Sequence, residues 1–441
     1  MLGTKPKPSD NHTSESPAAL RIAMFSIHSC PMGKLGTRDT GGMNVYVREV
    51  ARELGRRGHH VDVYTRFHGD GHGPIMRVSK TVRFIHIEAG ENRRIHKLAI
   101  YPHLSGLFCK IDTLRKQELS EYDLVHSHYW LSGRVGNLAQ GKWKIPHLVT
   151  FHTLGKIKNH VGVGDSEPRL RIVTEKHLVR SCDRIIVSTE RGKQELIHFY
   201  NAKPDAIGVI PCGVNLDLFQ PMPKSEARSQ LGLDQQDTIL LYVGRFAALK
   251  GLDRLLQAIS FLKDHNKLRL IIIGGEGFDS PETVRLKRLS RALGVENRVI
   301  FMGSIEHESL PPYYCAADLL VVPSHHESFG LVALESLACG TPVVATKVGV
   351  AEVTIKEGKT GFVVSDPAPR VLAEKIGTAL TDPQRKFASV DTLRETVTRF
   401  SWSNVVDAMM DEYRSVLNGF RLSAVKDTSP MVFRLSKTSS L

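Results

Sequence analysis

Two kinds of apolar pattern alternate along the chain. The first is a short, nearly continuous aliphatic run. In the first half these runs are Arg21–Ile27, Val61–Thr65, Val82–Ile87, Leu124–Ser127, Leu148–Phe151, Arg184–Ser188 and Ile207–Pro211. In the second half they are Ile239–Val243, Leu270–Gly274, Val299–Met302, Leu319–Pro323, Val343–Thr346 and Phe362–Val364. They rarely alternate with polar residues, which predicts parallel strands buried on both faces. The second pattern is helical and is clearest over Gly42–Arg57. There Met43, Val47, Val50, Ala51 and Leu54 form one stripe, and Gly58 is a stop signal.

The strand–helix alternation occurs twice, over similar lengths. The predicted fold class is therefore α/β, with two doubly wound Rossmann-like domains. Turn-rich Pro211–Asn215, followed by Pro221 and Pro223, marks the boundary. The expected organisation is a flexible tail at 1–19, a first domain at 20–215 and a second at 216–400. A helix follows at 401–417, capped by Ser401 and crossing back to the first domain, with Asn418-Gly419 as its stop. Residues 418–441 are expected to be a second flexible tail.

Composition narrows the class. Of 441 residues, 41% are hydrophobic and 24% charged, as in globular proteins. The longest aliphatic run, Leu270–Ile273, is far below the roughly 20 residues of a membrane helix. The first 19 residues are polar and lack a secretory pattern. The six cysteines, at 30, 109, 182, 212, 315 and 339, have no zinc or redox spacing, so no metal site and a reducing cytoplasm are expected. The net charge of +13 points to an anionic partner. Between Lys142 and Lys193 there are 11 Lys/Arg against 5 Asp/Glu. No aromatic–basic recognition motif accompanies them, so nucleic acid is not the expected partner, and peripheral membrane contact stays open. Nothing in the chain separates a monomer from a homodimer.

Four segments could carry chemistry. Thr40-Gly41-Gly42-Met43-Asn44 follows the first strand and opens the best helix, where close backbone approach and a helix N-terminus suit an anion. Gly244-Arg245-x4-Lys250-Gly251 follows another strand, and an Arg fork with a Lys point charge suits a diphosphate. In Glu327-Ser328-Phe329-Gly330-Leu331-x3-Glu335, two carboxylates flank a helix start with free amides. The fourth segment is His126-Ser127-His128-Tyr129-Trp130, with His152-Thr153 beyond the next strand. For each, the plain alternative is a turn, a solvated charge or a buried histidine. There is no P-loop, and no Asp-x-Asp pair to hold a metal–nucleotide complex.

Together these segments resemble the retaining glycosyltransferases of family 4, which have the two-domain GT-B fold, over about Arg21–Leu417. Glu327-x7-Glu335 and Gly244-Arg245-x4-Lys250-Gly251 carry the likeness. Asp39–Val47, His126–Gly133 and His152–Lys156 look most like the mycothiol-pathway branch, which transfers N-acetylglucosamine from its UDP conjugate to inositol phosphate. Sucrose-phosphate synthases share part of the pattern. The resemblance implies a metal-independent hexosyltransferase that needs no cofactor, with a nucleotide-sugar donor (UDP-N-acetylglucosamine or UDP-glucose) and a phosphorylated small-molecule acceptor. It implies catalytic roles for His152, Arg245, Lys250 and Glu327. Donor contacts would come from Gly41, Gly42, Arg245, Lys250, Glu327, Phe329, Gly330, Leu331 and Glu335. Acceptor contacts would come from Asn44, Lys97, Tyr129, Thr153 and Arg171. Other readings are a lipid- or polysaccharide-directed transferase and a nucleotide-sugar epimerase.

Overall fold

The computed structural model describes residues 19–427, apart from 37–39, 70–72, 94, 264–266 and 382–386. The expected tails at 1–18 and 428–441 lie outside the described residues, as does Asp39.

Among the described residues, fourteen strands build two sheets. The first contains β1 (Arg21–Phe25), β2 (His60–Arg66), β3 (Ile75–Arg77), β4 (Val82–Ile87), β5 (Leu124–His128), β6 (His147–Thr150), β7 (Arg184–Val187) and β8 (Ile207–Val209). Their spatial order is β3-β4-β2-β1-β5-β6-β7-β8. The second contains β9 (Thr238–Val243), β10 (Leu268–Ile273), β11 (Val299–Gly303), β12 (Leu319–Val322), β13 (Val343–Thr346) and β14 (Gly361–Val364), in the order β11-β10-β9-β12-β13-β14. All neighbours pair in parallel except β3, which runs antiparallel to β4. The aliphatic runs do not predict β3. It is a three-residue edge strand with no buried residue, so hydrophobic patterning leaves no trace of it.

Alternate residues of β1 serve two layers. Ile22 and Met24 share a core with Val47, Val50 and Leu54 of α1 (Gly42–Arg56). Ala23 and Phe25 face Trp130, Leu131 and Val135 of α2 (Trp130–Trp143). Each such large apolar side chain, fully buried, contributes roughly 1.5–3 kcal/mol. The second sheet repeats the scheme: Leu241 and Ile271 lie on one side with Leu334, and Leu240 and Ile272 on the other with Leu255 and Ile259.

The last helix ties the halves together. Asn404 N donates to Ser401 Oγ at its start. Its side chains then meet the first domain: Trp402 against the Tyr46 ring, Asp407 with Arg57, Glu412 with Arg184, and the Tyr413 hydroxyl with His126 Nδ1 at 2.7 Å. It runs over Trp402–Asp427, past the stop expected at Asn418-Gly419. One mid-helix glycine costs only about 1 kcal/mol, and a helix anchored along its preceding turns tolerates that. No helix among the described residues is long and apolar enough to cross a membrane.

Candidate functional site

Among the parallel strands of each sheet the order reverses between β1 and β5 and between β9 and β12. The crevice beyond the carboxyl ends at such a switch is where open parallel sheets bind ligands. The segments singled out from sequence emerge there. Gly41-Gly42 follows β1, Tyr129 follows β5, and His152-Thr153 lies beyond neighbouring β6. Arg245 and Lys250 follow β9, and Glu327 and Gly330 follow β12.

The two sets face each other. A Cβ placed on Gly41 would lie 3.4 Å from Arg245 Nε, and one on Gly42 would lie 3.4 Å from Leu331 Cδ1. Arg48 of α1 also reaches His307, across the cleft, at 3.4 Å.

Lys250 and Glu327 form one unit. Lys250 Nζ donates to both carboxylate oxygens, at 2.6 and 2.8 Å, and Ser324 Oγ donates to Oε1 at 2.7 Å. Burial pushes the Glu327 carboxyl up, but Lys250 and Ser324 outweigh it and hold it below the ordinary range. Gly251 makes this contact possible: its φ is +68°, and a Cβ there would sit 2.0 Å from the Pro323 carbonyl oxygen. Gly330 precedes the helix α3 (Leu331–Ala338) at φ +98°, and the buried Phe329 accepts the Val350 amide through its carbonyl. Glu335 lies in that helix, buried, with one oxygen accepting from His307 Nε2 at 2.7 Å and the other from the Tyr314 hydroxyl at 2.6 Å. Sequence reasoning missed His307, an isolated histidine that opens a single 3-10 turn over His307–Ser309.

On the first-domain side, Tyr129 and His152 hold φ of +78° and +58°. Such values are rare for residues with side chains and cost about 1–3 kcal/mol each. His152 Nε2 meets His128 Nδ1 at 3.1 Å, and His126 Nε2 meets Thr150 Oγ1 at 2.8 Å. Burial drives the pKa of His126, His147 and His152 down to about 3 and that of His128 well below 6.5, so all four are neutral. The unfolded chain takes up these protons near pH 6.5, whereas in the folded chain His126, His147 and His152 refuse them until about pH 3. Stability therefore falls as pH drops below about 6.5, by roughly 2 kcal/mol at pH 5 for each of His126, His147 and His152, with His128 acting in the same direction. Urea titrations at pH 7 and pH 5 should show this as a lower midpoint at pH 5.

Arg171, 1% exposed, is held three ways. Nε donates to Glu175 at 2.7 Å, and Nη2 donates to the carbonyl and hydroxyl of Thr153 at 2.8 and 3.0 Å. Nη1 lies 2.9 Å from Glu167. The guanidinium also stacks 4.8 Å from the Tyr129 ring. Lys97 Nζ approaches Glu167 at 3.7 Å. The structure thus gathers Lys97, Tyr129, Thr153 and Arg171 into one cluster, to which it adds Lys158 and Glu167. Asn44 is used differently. Fully buried, it accepts the Gly41 amide at the start of α1 and donates to Ser29 and the Cys30 carbonyl.

Residues 40–218 match the family described as Glycosyltransferase Family 4, and residues 223–393 match Glycosyl transferases group 1. A D-inositol 3-phosphate glycosyltransferase of Acidothermus cellulolyticus is 39% identical over 417 residues, covering 92% of either chain. The chain belongs to glycosyltransferase family 4. This family 4 enzyme has the GT-B fold. It superposes on a sucrose-phosphate synthase from Thermosynechococcus elongatus with a TM-score of 0.84 and 32% identity, over 91% of this chain and 100% of that one. Anabaena HepE in complex with UDP-glucose shares the fold at 20% identity and a TM-score of 0.70, over 90% of this chain and 100% of that one. As a family 4 glycosyltransferase, the chain has two Rossmann-like α/β domains, the fold class that the strand–helix alternation predicts.

Proposed function

We propose that this glycosyltransferase moves a hexosyl group, with retention, from UDP-N-acetylglucosamine or UDP-glucose to a phosphorylated polyol, inositol phosphate first. The observation that carries the reading is the opposition across the cleft of two charged clusters. Arg245 and Leu331, the first residue of α3, lie against Gly41-Gly42, with Lys250 in the loop that carries Arg245, and Lys97 and Arg171 gather in the first domain. The name of the inositol-phosphate relative supports the acceptor.

Catalysis in this reading is mainly electrostatic. The departing diphosphate gains negative charge, which Arg245, Lys250 and the helix amides meet without reorganising. Glu327 holds donor-sugar hydroxyls and Glu335 the ribose, with His152 beside the reacting carbon. Both oxygens of Glu327 are committed to Lys250, and those of Glu335 to His307 and Tyr314. Neither is a free nucleophile, which favours attack by the acceptor on the face that the diphosphate leaves.

No group of three or more His, Cys, Asp or Glu suited to a metal ion occurs among the described residues. Activity is therefore expected to persist in excess chelator. Loss of activity in chelator, restored by magnesium or manganese, would contradict the scheme.

Likeness to a sucrose-phosphate synthase favours a second reading, in which a hexose phosphate is the acceptor. A matrix of both donors against inositol phosphate, free inositol and fructose 6-phosphate, read by mass spectrometry, separates the two. The proposal expects a product with inositol phosphate and is lost if none forms with either donor.

A further inference from the structure

The cations in the acceptor cluster already hold an anion. Glu167, with a 5% exposed side chain, receives Lys158 directly, Arg171 Nη1 at 2.9 Å and Lys97 at 3.7 Å. Burial opposes its ionisation, but these three cations outweigh that and hold its carboxyl at about 2.

The contacts differ in kind. Arg171 is fixed by Glu175 and Thr153 through Nε and Nη2, whereas Nη1 faces Glu167 without hydrogen-bond geometry. Glu175 in turn is secured by the Gly155 amide and the Tyr200 hydroxyl. Glu175 thus builds the site, and Glu167 only neutralises it. The backbone of Glu167 is clamped by both ends of the Asn159 amide, so its side chain can swing while the chain stays put. It ends a segment with left-handed glycines at 162 and 164, and Gly164 borders Ala248 of the loop that carries Lys250.

We propose that Glu167 is an internal counter-ion, a specificity-determining residue that an acceptor dianion must outcompete and that a neutral polyol leaves in place. This rests on the reading that Lys97 and Arg171 serve the acceptor phosphate. Three cations against Glu167 and Glu175 leave a local charge of 3 − 2 = +1. With Glu167 neutralised it becomes 3 − 1 = +2. Glu167 therefore weakens phosphate binding, and after transfer it can retake the cations from the product, which still carries its phosphate.

The test uses the full chain and inorganic phosphate as the probe, by calorimetry and by competition against inositol phosphate. Glu167→Gln is expected to bind phosphate about tenfold or more tightly than the unaltered enzyme, since one nearby like charge is gone. The KM for the phosphorylated acceptor should fall in parallel while the donor KM stays level. Glu167→Asp, whose shorter arm loosens the hold on Lys97, should fall between and decides the matter if the glutamine variant does not fold. Equal or weaker phosphate binding by a folded variant would overturn the counter-ion role and leave the acceptor reading standing. Failure of phosphate to bind or compete in any of the proteins would overturn both.

Discussion

Lys250→Ala and Arg245→Ala are each expected to lower turnover by about two orders of magnitude, the scale of losing one preorganised charge-stabilising donor. The effect should fall on kcat more than on the donor KM, because the diphosphate's charge grows toward the transition state. Lys250 carries a second burden. It is the cation that keeps the buried Glu327 ionised, through two hydrogen bonds. Its loss leaves Ser324 as the donor remaining to that carboxylate among the described contacts, so Glu327 should take up a proton at a higher pH than before. The fold should survive both changes, since both side chains emerge beyond the end of β9, outside the core. Single-turnover kinetics with thermal unfolding in parallel would separate chemistry from stability. Near-normal turnover in the folded double variant would remove both residues from the leaving-group role.

The second large effect concerns the acceptor. Two charge-assisted hydrogen bonds to a phosphate, at roughly 1.5–3 kcal/mol each, imply at least about a hundredfold preference for the phosphorylated acceptor over its free form. The structure decides which variant tests this cleanly. Arg171 is 1% exposed and paired with two buried carboxylates. Arg171→Ala would erase the preference but also strand those charges, at about 3–5 kcal/mol of stability. Lys97 is 24% exposed, and Glu167, at 3.7 Å, is its ion-pair partner among the described residues. Lys97→Met should therefore cut the preference about tenfold while thermal stability and donor KM stay level. Equal efficiency with phosphorylated and free acceptors in the unaltered enzyme would point instead to a lipid or glycan acceptor.

Legibility along the chain followed burial. The aliphatic runs marked thirteen of the fourteen strands because a parallel strand buried on both faces must be apolar throughout. Three-residue β3, exposed at both ends and only half-buried at Met76, has no such requirement. The glycine-flanked segments were readable because a backbone approaching a ligand or a neighbouring loop excludes a Cβ, as at Gly251. Asn44 shows the limit. The family resemblance offers it as an acceptor contact, whereas the structure shows its amide engaged inside the fold with Gly41, Ser29 and Cys30. A polar side chain does not announce from sequence whether its partner is a ligand or the protein.

Two α/β domains, the strands buried on both faces and the segments at their ends were legible along the chain, whereas the order of the strands in each sheet was not. Local periodicity and glycine placement are short-range signals, and neighbours along the chain suffice to express them. How the charges are shared depends on contacts between segments far apart in the chain. That Lys250 closes on Glu327 across 77 residues, that His307 and Tyr314 take up Glu335, and that Glu167 already sits among the cations of the acceptor cluster all follow from where the two sheets bring distant loops. A charge's role depends on the few ångströms around it, and those distances are set by packing between segments far apart in the chain.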